Sequence, residues 1–178
     1  YRLCFYILGF YCGEILVGIY SNAVSLSEAV MLFGSSLALV QYSSLSNNED
    51  DSSSKQFSWK MSKINGIFTA VALLVLCLLP SEVYSFIFGK GFEEISQAIR
   101  ILSIGVLPLS IASNFTQYFY AKGNFKISTF ASIIGLIVTI IAGLILIPKY
   151  QLQGAAFTAT LSYFTTFAIE FYFFVFRK

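Results

Sequence analysis

Residues 128–176 read STFASIIGLIVTIIAGLILIPKYQLQGAAFTATLSYFTTFAIEFYFFVF, and they hold two apolar runs, 128–147 and 154–176, on either side of a short polar turn. Each run has the roughly 20 residues that an α-helix needs to cross a bilayer. Small residues recur three or four positions apart along both runs, namely Ser128, Ser132, Gly135, Thr139 and Gly143, then Ala155, Ala159, Ser162 and Thr166. Because small side chains let helix backbones approach closely in lipid, the stretch predicts two membrane-crossing helices packed as an antiparallel hairpin.

The composition extends this prediction from the hairpin to the whole chain. Of the 178 residues, 57% are hydrophobic and 11% are charged, and the mean hydropathy is +0.76. A typical soluble domain has about 45–50% apolar and about 25% charged residues. The composition therefore excludes a soluble enzyme, a disordered chain and a nucleic-acid binder, whose basic face would need many more Lys and Arg residues. It predicts an all-α membrane protein built as a polytopic helical bundle.

Six apolar segments follow one another along the chain, and we expect each of them to be helical. Their approximate bounds are 1–12, 19–45, 64–79, 94–121, 128–147 and 154–176. Pro80 and Pro148 are expected to end the third and fifth helices, and Pro108 to kink the fourth, since proline interrupts the hydrogen-bond ladder. Residues 46–63 are expected to form a solvated linker. Because the chain begins inside an apolar run, we interpret it as a fragment without its N-terminal part, and the first segment as a helix cut short.

Lysine and arginine residues are distributed unevenly between the connections. The connections after the second and fourth segments and the C-terminus carry seven of them, whereas the other connections carry two, Lys90 and Lys149. The seven are Lys55, Lys60, Lys63, Lys122, Lys126, Arg177 and Lys178. Because cytoplasmic loops of membrane proteins are enriched in positive charge, this bias predicts that the linker 46–63 and the C-terminus face the cytoplasm.

Polar side chains follow one face of the fourth segment at helical spacing. Seven of eight positions that lie three or four residues apart are polar, and the eight are Glu93, Ser96, Arg100, Ser103, Leu107, Ser110, Asn114 and Gln117. The second segment has a similar series, which consists of Ser21, Ser25, Glu28 and Ser35. Lipid cannot satisfy these groups, so both faces must contact protein or water. Either they join neighbouring helices through hydrogen bonds, or they line a water-filled path.

We predict a substrate path along these two faces. The residues expected to line it are Ser21, Ser25, Glu28, Arg100, Ser103, Ser110, Asn114 and Gln117. At about 1.5 Å per residue, Glu28 and Arg100 are both expected roughly 10–14 Å below the outer surface, where they would line one cavity and could pair. Arg100 is the candidate for binding an anionic group of a substrate, and a structural ion pair is the alternative. Glu170, near the cytoplasmic end of the last segment, is expected to extend toward the lipid headgroups.

Three stretches of the chain carry motifs of a known family. They are VGIYSNA at 17–23, FGKGF at 88–92 followed by AIRIL at 98–102, and IPKYQLQGAA at 147–156. These stretches resemble the bacterial oligosaccharide flippases of the Wzx type, in the superfamily that also contains the multidrug and toxin extruders and the lipid II flippases. The last stretch is similar to the family's turn into its final helix, Ile-Pro-x-Tyr-Gly-x-x-Gly-Ala-Ala, with Gln151 where the family has glycine.

The resemblance implies the C-terminal lobe of a MATE-like transporter with two helical bundles. Such a protein is not an enzyme but flips undecaprenyl-diphosphate-linked oligosaccharide repeat units, for O-antigen, capsule or exopolysaccharide, across the bacterial inner membrane by alternating access. The implied partners are this lipid-linked substrate, membrane lipids and the N-terminal half of the same protein.

Two other functions stay open at this point. One is an ion-coupled multidrug extruder of the same superfamily, and the other is a membrane glycosyltransferase or polymerase, which would need a carboxylate, histidine or metal cluster on a large loop. The chain has no histidine, and its three cysteines lack metal-binding spacing. We therefore expect no cofactor and no metal site, and we leave open a coupling ion, H⁺ or Na⁺.

Overall fold

The computed structural model describes residues 2–47, 50–89 and 91–176. In this part of the chain every regular element is an α-helix, which confirms the all-α prediction. The helices are α1 (Leu3–Cys12), α2 (Glu14–Ala29), α3 (Met31–Ser46), α4 (Asp51–Leu78), α5 (Ser81–Phe88), α6 (Ile95–Ala121) and α7 (Phe125–Phe176). Three of the cations that were counted for the orientation, Lys90, Arg177 and Lys178, lie outside the described residues.

Several of these helices are long and apolar enough to cross a membrane. They are α4, α6 and α7, and α2 and α3 together form another such segment that is bent by 43°. Large apolar side chains on their surfaces are exposed, and on α4 they include Ile67, Val71, Leu74 and Leu78 at helical spacing. Because a surface of this kind is suited to lipid rather than water, the helices and their exposed faces agree with a multi-pass membrane protein.

Two breaks divide the first part of the chain, where one helix was expected over 19–45. Gly13, between α1 and α2, has a φ of +85°, a conformation that glycine adopts without steric cost. α2 therefore begins at Glu14, earlier than expected. Val30 separates α2 from α3, and the bend of 43° lies there. The bend follows Glu28 almost directly, so this residue lies at the middle of a broken membrane segment.

α4 includes most of the residues that were expected to form a solvated linker. Asp50 caps the helix, because its side chain accepts hydrogen bonds of 3.1 and 3.3 Å from two backbone N–H groups of the first turn. Serines of the expected linker are buried along one face of the helix, and they are Ser54, Ser58 and Ser62. The prediction of a linker is therefore wrong for residues 51–63, because the cap and the buried polar face both favour a helix.

α6 lies at the centre of the bundle and contacts α2, α3, α4 and α7. Its bounds agree with the predicted segment 94–121, and Pro108 is buried inside it. One apolar cluster packs α6 against α1, α2 and the middle of α7, and it includes Tyr20, Ile99 and Tyr163. A second cluster lies toward the other end of α6 and includes Leu45, Phe115 and Phe174. The short helix α5, before α6, was not predicted.

α7 is divided by a sharp turn at Gln151. This residue has a φ of +47° and a ψ of −119°, which no α-helix contains, so residues 125–150 form a first arm and residues 152–176 a second arm. Pro148 was expected to end its helix, but it lies inside the first arm, before the turn. Each arm is about 25 residues long and is therefore sufficient for one crossing of a bilayer.

The two arms of α7 pack against each other through their small residues, so the predicted antiparallel hairpin is present. The Ser162 hydroxyl donates a hydrogen bond of 2.7 Å to the carbonyl oxygen of Gly135. Near the turn, a Cβ atom on Gly154 would collide with the carbonyl group of Leu146. Glycine at both positions lets the backbones approach closely, which is the physical basis of the small-residue pattern.

Candidate functional site

A polar pocket of about 370 Å³ lies between α1, α2 and the second arm of α7. Its lining residues are Arg2, Phe5, Tyr6, Tyr20, Ser21, Val24, Ser25, Glu28 and Tyr163. Three predicted path residues are among them, because Ser21, Ser25 and Glu28 lie four and three positions apart on α2 and so share one helix face. The structure therefore brings the α2 part of the predicted path together.

A tyrosine holds the Glu28 carboxylate at one side of this pocket. The Tyr163 hydroxyl, from the second arm of α7, donates a hydrogen bond of 2.7 Å to Glu28 Oε1. Tyr20 of α2 donates to the carbonyl oxygen of Ala155 at 3.3 Å and so joins α2 to the same arm. Glu28 is half-buried. A fixed carboxylate in a partly open pocket is suited to accept hydrogen bonds from hydroxyl groups of a ligand.

Arg2 supplies the positive charge of the pocket, a role that the sequence analysis gave to Arg100. It directly precedes the first residue of α1. Arg2 and Glu28 line the same pocket, but no salt bridge joins them. The ion pair found within the described ranges joins Lys122 to Asp51, at 4.0 Å. A guanidinium group presents five N–H donors and suits phosphate groups. The sequence signal for Arg2 is a charge at the edge of an apolar run, which is equally typical of an ordinary helix end.

Arg100 lies on α6, and it does not line the pocket that contains Glu28. Its side chain is exposed. No salt bridge joins Arg100 to Glu28 within the described residues. Burial raises the pKa of the Tyr84 phenol on α5, and the nearby Arg100 guanidinium opposes this shift. The expected shared cavity and ion pair of Glu28 and Arg100 are therefore wrong, while a substrate role for Arg100 stays a prediction.

The polar residues in the middle of α6 face α4 rather than the pocket. The Ser103 hydroxyl accepts a hydrogen bond of 3.3 Å from the Cys77 thiol. The Ser110 hydroxyl donates to Asn65 Oδ1 at 3.0 Å and lies 2.7 Å from the Thr69 hydroxyl, and Asn65 Nδ2 donates to the Ser110 carbonyl oxygen at 2.8 Å. Asn65, Thr69 and Ser110 are all buried. For these residues the structure favours the interpretation in which polar side chains join neighbouring helices.

Gln41 of α3 connects this interface to a third helix. Its Nε2 atom donates to the Ser58 hydroxyl of α4 at 3.0 Å and to the backbone carbonyl oxygen of Asn114 in α6 at 2.8 Å. Gln41 and Asn114 are fully buried, so Asn114 also belongs to the interface and not to an open path. Gln117, three positions further, is half-buried on α6. Gln41 and the polar face of α4 were not predicted, although the serines of α4 recur every four residues.

Glu170 is buried, and the prediction that it extends toward the headgroups is wrong. It is 2% exposed in the second arm of α7. The hydroxyl oxygen of Thr116, on α6, lies 2.8 Å from both of its carboxyl oxygens. Packing between helices therefore overrides the snorkelling that a long charged side chain near a helix end would otherwise show. The spacing of the sequence indicates that Glu170 is buried, because it continues the small-residue series Ala159, Ser162 and Thr166 on the packed face of the helix.

Comparison with known proteins identifies the family to which the chain is similar. Residues 13–178 match the family model of the lipid II flippase MurJ. Among curated proteins, the chain is similar to the capsular polysaccharide biosynthesis protein CapF of Staphylococcus aureus, with 30% identity over 165 residues, which are 91% of this chain and 42% of CapF. No solved structure matches.

Two membrane proteins of Methanocaldococcus jannaschii, both described as uncharacterized, are also similar. MJ1068 is 30% identical over 60% of this chain and 21% of its own length, and MJ1375 is 24% identical over 85% of this chain and 36% of its own length. The chain thus spans less than half the length of each of these three relatives.

Proposed function

Because the chain belongs to the lipid II flippase MurJ family, whose members are transporters and not enzymes, we propose that it forms part of a flippase for a lipid-linked polysaccharide precursor. The observation that carries the proposal is the polar pocket that Arg2 and Glu28 line together between α1, α2 and α7. Ionisable groups within membrane helices are costly and typically mark a substrate pathway. This pocket is therefore the candidate for a part of the path.

The lining of the pocket matches the chemistry of such a precursor. A diphosphate needs a cation, and Arg2 offers a guanidinium group. Sugar hydroxyls need acceptors and donors, which Glu28, Ser21 and Ser25 provide. The break at Val30 gives α2 and α3 a place to bend next to the pocket, as in transporters whose broken helices surround the substrate. Alternating access would use this bend.

The proposed substrate is an undecaprenyl-diphosphate-linked oligosaccharide repeat unit for capsule, O-antigen or exopolysaccharide. Its support is the similarity to a protein named for capsular polysaccharide biosynthesis, together with the motifs that resemble Wzx-type flippases. The family model favours lipid II as a second candidate substrate. On this proposal the chain is the C-terminal lobe of a MATE-like transporter in the bacterial inner membrane, with its C-terminus in the cytoplasm and the N-terminal half of the same protein as its partner.

Depletion of the protein in its own host tests this function. We expect the lipid-linked repeat unit to accumulate in the cytoplasmic leaflet and the surface polysaccharide to disappear, because the precursor cannot reach the outer face. The measurement is the amount of lipid-linked oligosaccharide extracted from the cells, together with surface glycan staining.

The depletion experiment also distinguishes the proposed function from two competing functions, lipid II flipping and drug export. Accumulation of lipid II in place of the repeat unit would assign the peptidoglycan precursor as substrate and overturn the finer proposal. Unchanged precursors and surface glycan, with a gain in drug sensitivity, would indicate the multidrug extruder and overturn the flippase.

A further inference from the structure

Glu170 is an ionisable group inside a membrane helix that the pocket of Arg2 and Glu28 does not include. Thr116 of α6 and Ser128 of the first arm of α7 face its carboxyl group. Both are hydroxyl side chains, so neither brings a positive charge. The Ser128 side chain is 3% exposed, and its hydroxyl completes no hydrogen bond within the described residues. The three side chains therefore form a buried oxygen site between three helical segments.

No ion pair reaches Glu170 in the part of the chain that the structure describes. The charged side chains on the elements around it are Asp51, Lys55, Lys60 and Lys63 of α4, Lys122 after α6, Lys126 of α7, and, toward the other end of the bundle, Arg100 of α6 and Lys149 of α7. Lys122 pairs with Asp51, at 4.0 Å, and not with Glu170. An ionised Glu170 would thus be a buried charge without a nearby counter-charge, which is costly in a low dielectric. Proton binding removes this cost.

The contacts of Thr116 also fit a protonated carboxyl group. The Thr116 hydroxyl oxygen lies 2.8 Å from Glu170 Oε1 and Oε2 and 3.2 Å from the backbone carbonyl oxygen of Ala112. A hydroxyl group has one proton to donate, which it either shares between the two carboxylate oxygens or gives to the carbonyl of Ala112. When Glu170 is protonated, its O–H donates to the Thr116 oxygen, and the Thr116 proton goes to the carbonyl of Ala112.

We propose that Glu170, with Thr116 and Ser128, is a proton-binding site of this transporter. The carboxylate takes its proton from water when the helices around it part, and it keeps the proton when they close. Glu170 lies near the end of α7, on the side predicted to face the cytoplasm, so the route to water is short. The link to a transport cycle rests on the proposed function, whereas proton binding itself does not.

Infrared difference spectroscopy of the whole protein in lipid nanodiscs tests the site. Spectra at acidic and alkaline pH are compared for the wild type, for Glu170→Gln and for Glu82→Gln, a control at an exposed glutamate of α5. We expect the C=O band of a protonated, buried carboxyl group in the wild type and in the control, and its loss in Glu170→Gln. If the wild-type band persists in Glu170→Gln, or if Na⁺ and not pH changes the spectrum of Glu170, the proposal is overturned.

Two further measurements distinguish a failure of the proton site from a folding defect and from a failure of the proposed function. Thr116→Val should shift the frequency of the Glu170 band, since it removes the hydroxyl that the carboxyl group contacts, and an unshifted band contradicts the geometry. In proteoliposomes, Glu170→Gln should lose the dependence of flipping on a pH gradient, and retained dependence would contradict a role in coupling. A normal band without any flipping of lipid-linked sugars would instead contradict the proposed function.

Discussion

Gln151 adopts an unusual backbone conformation at the turn between the two arms of α7. Its φ of +47° and ψ of −119° correspond to the first central position of a type II′ turn, which glycine normally occupies. A residue with a Cβ atom in such a region costs about 1–3 kcal/mol. The hairpin imposes this conformation, because Gly154 follows closely and packs against the preceding arm.

Replacement of Gln151 by glycine should therefore stabilise the protein. We expect Gln151→Gly to raise the free energy of unfolding by about 1–2 kcal/mol, since it removes the steric cost without removing a packed side chain. The measurement is thermal unfolding in detergent. Gln153→Gly is the matched control, because Gln153 lies in the helical second arm, where glycine costs about 0.5–1 kcal/mol relative to alanine. Equal shifts for both variants would contradict the strain at Gln151.

At the scale of the elements, α3, α4 and α6 are held together by buried hydrogen bonds. The Asn65 side chain is central, because it donates to the Ser110 carbonyl oxygen and accepts from the Ser110 hydroxyl. Gly34 of α3 lies directly against the Asn65 amide. Close approach of the two helices thus depends on a glycine on one side and on a hydrogen-bonded amide on the other.

A methyl group at Gly34 should disrupt this interface. We expect Gly34→Ala to lower the free energy of unfolding by about 1–3 kcal/mol, because the new Cβ displaces the Asn65 amide and its buried hydrogen bonds. Gly18→Ala in α2 is the control, since a Cβ there meets nothing within 4 Å, and it should stabilise the helix by about 0.5–1 kcal/mol. Unfolding midpoints in detergent measure both, and a Gly34→Ala variant as stable as the wild type contradicts the proposed packing.

For the whole molecule, hydrophobic periodicity and small-residue spacing predicted an all-helical membrane protein and the hairpin of α7. Both signals depend on residues close together in the sequence, so they can be interpreted without knowledge of the tertiary fold. The helical start of α4 was not predicted, because a run of serine, asparagine and aspartate is typical of both a loop and a capped helix with a buried polar face. The bundle decides between the two, since Ser54 and Ser58 are buried in it.

The candidate site could be predicted only in part, because helical spacing places residues on a face but does not show what that face contacts. Ser21, Ser25 and Glu28 share a pocket as expected. Ser110 and Asn114 instead face α3 and α4, and Arg100 lies apart from Glu28.

The proposed path of the lipid-linked oligosaccharide passes through the pocket with Arg2 and Glu28. The most direct measurement is the flipping rate of an undecaprenyl-diphosphate-linked oligosaccharide in proteoliposomes that contain the whole protein, for Glu28→Gln and for Glu14→Gln, an exposed control on the same helix. A hydrogen bond to a charged acceptor contributes about 1.5–3 kcal/mol, and Glu28→Gln removes this acceptor. The flipping rate of Glu28→Gln should therefore fall by about tenfold or more, whereas the rate of Glu14→Gln should stay unchanged. A folded Glu28→Gln protein that flips at the wild-type rate would contradict the account.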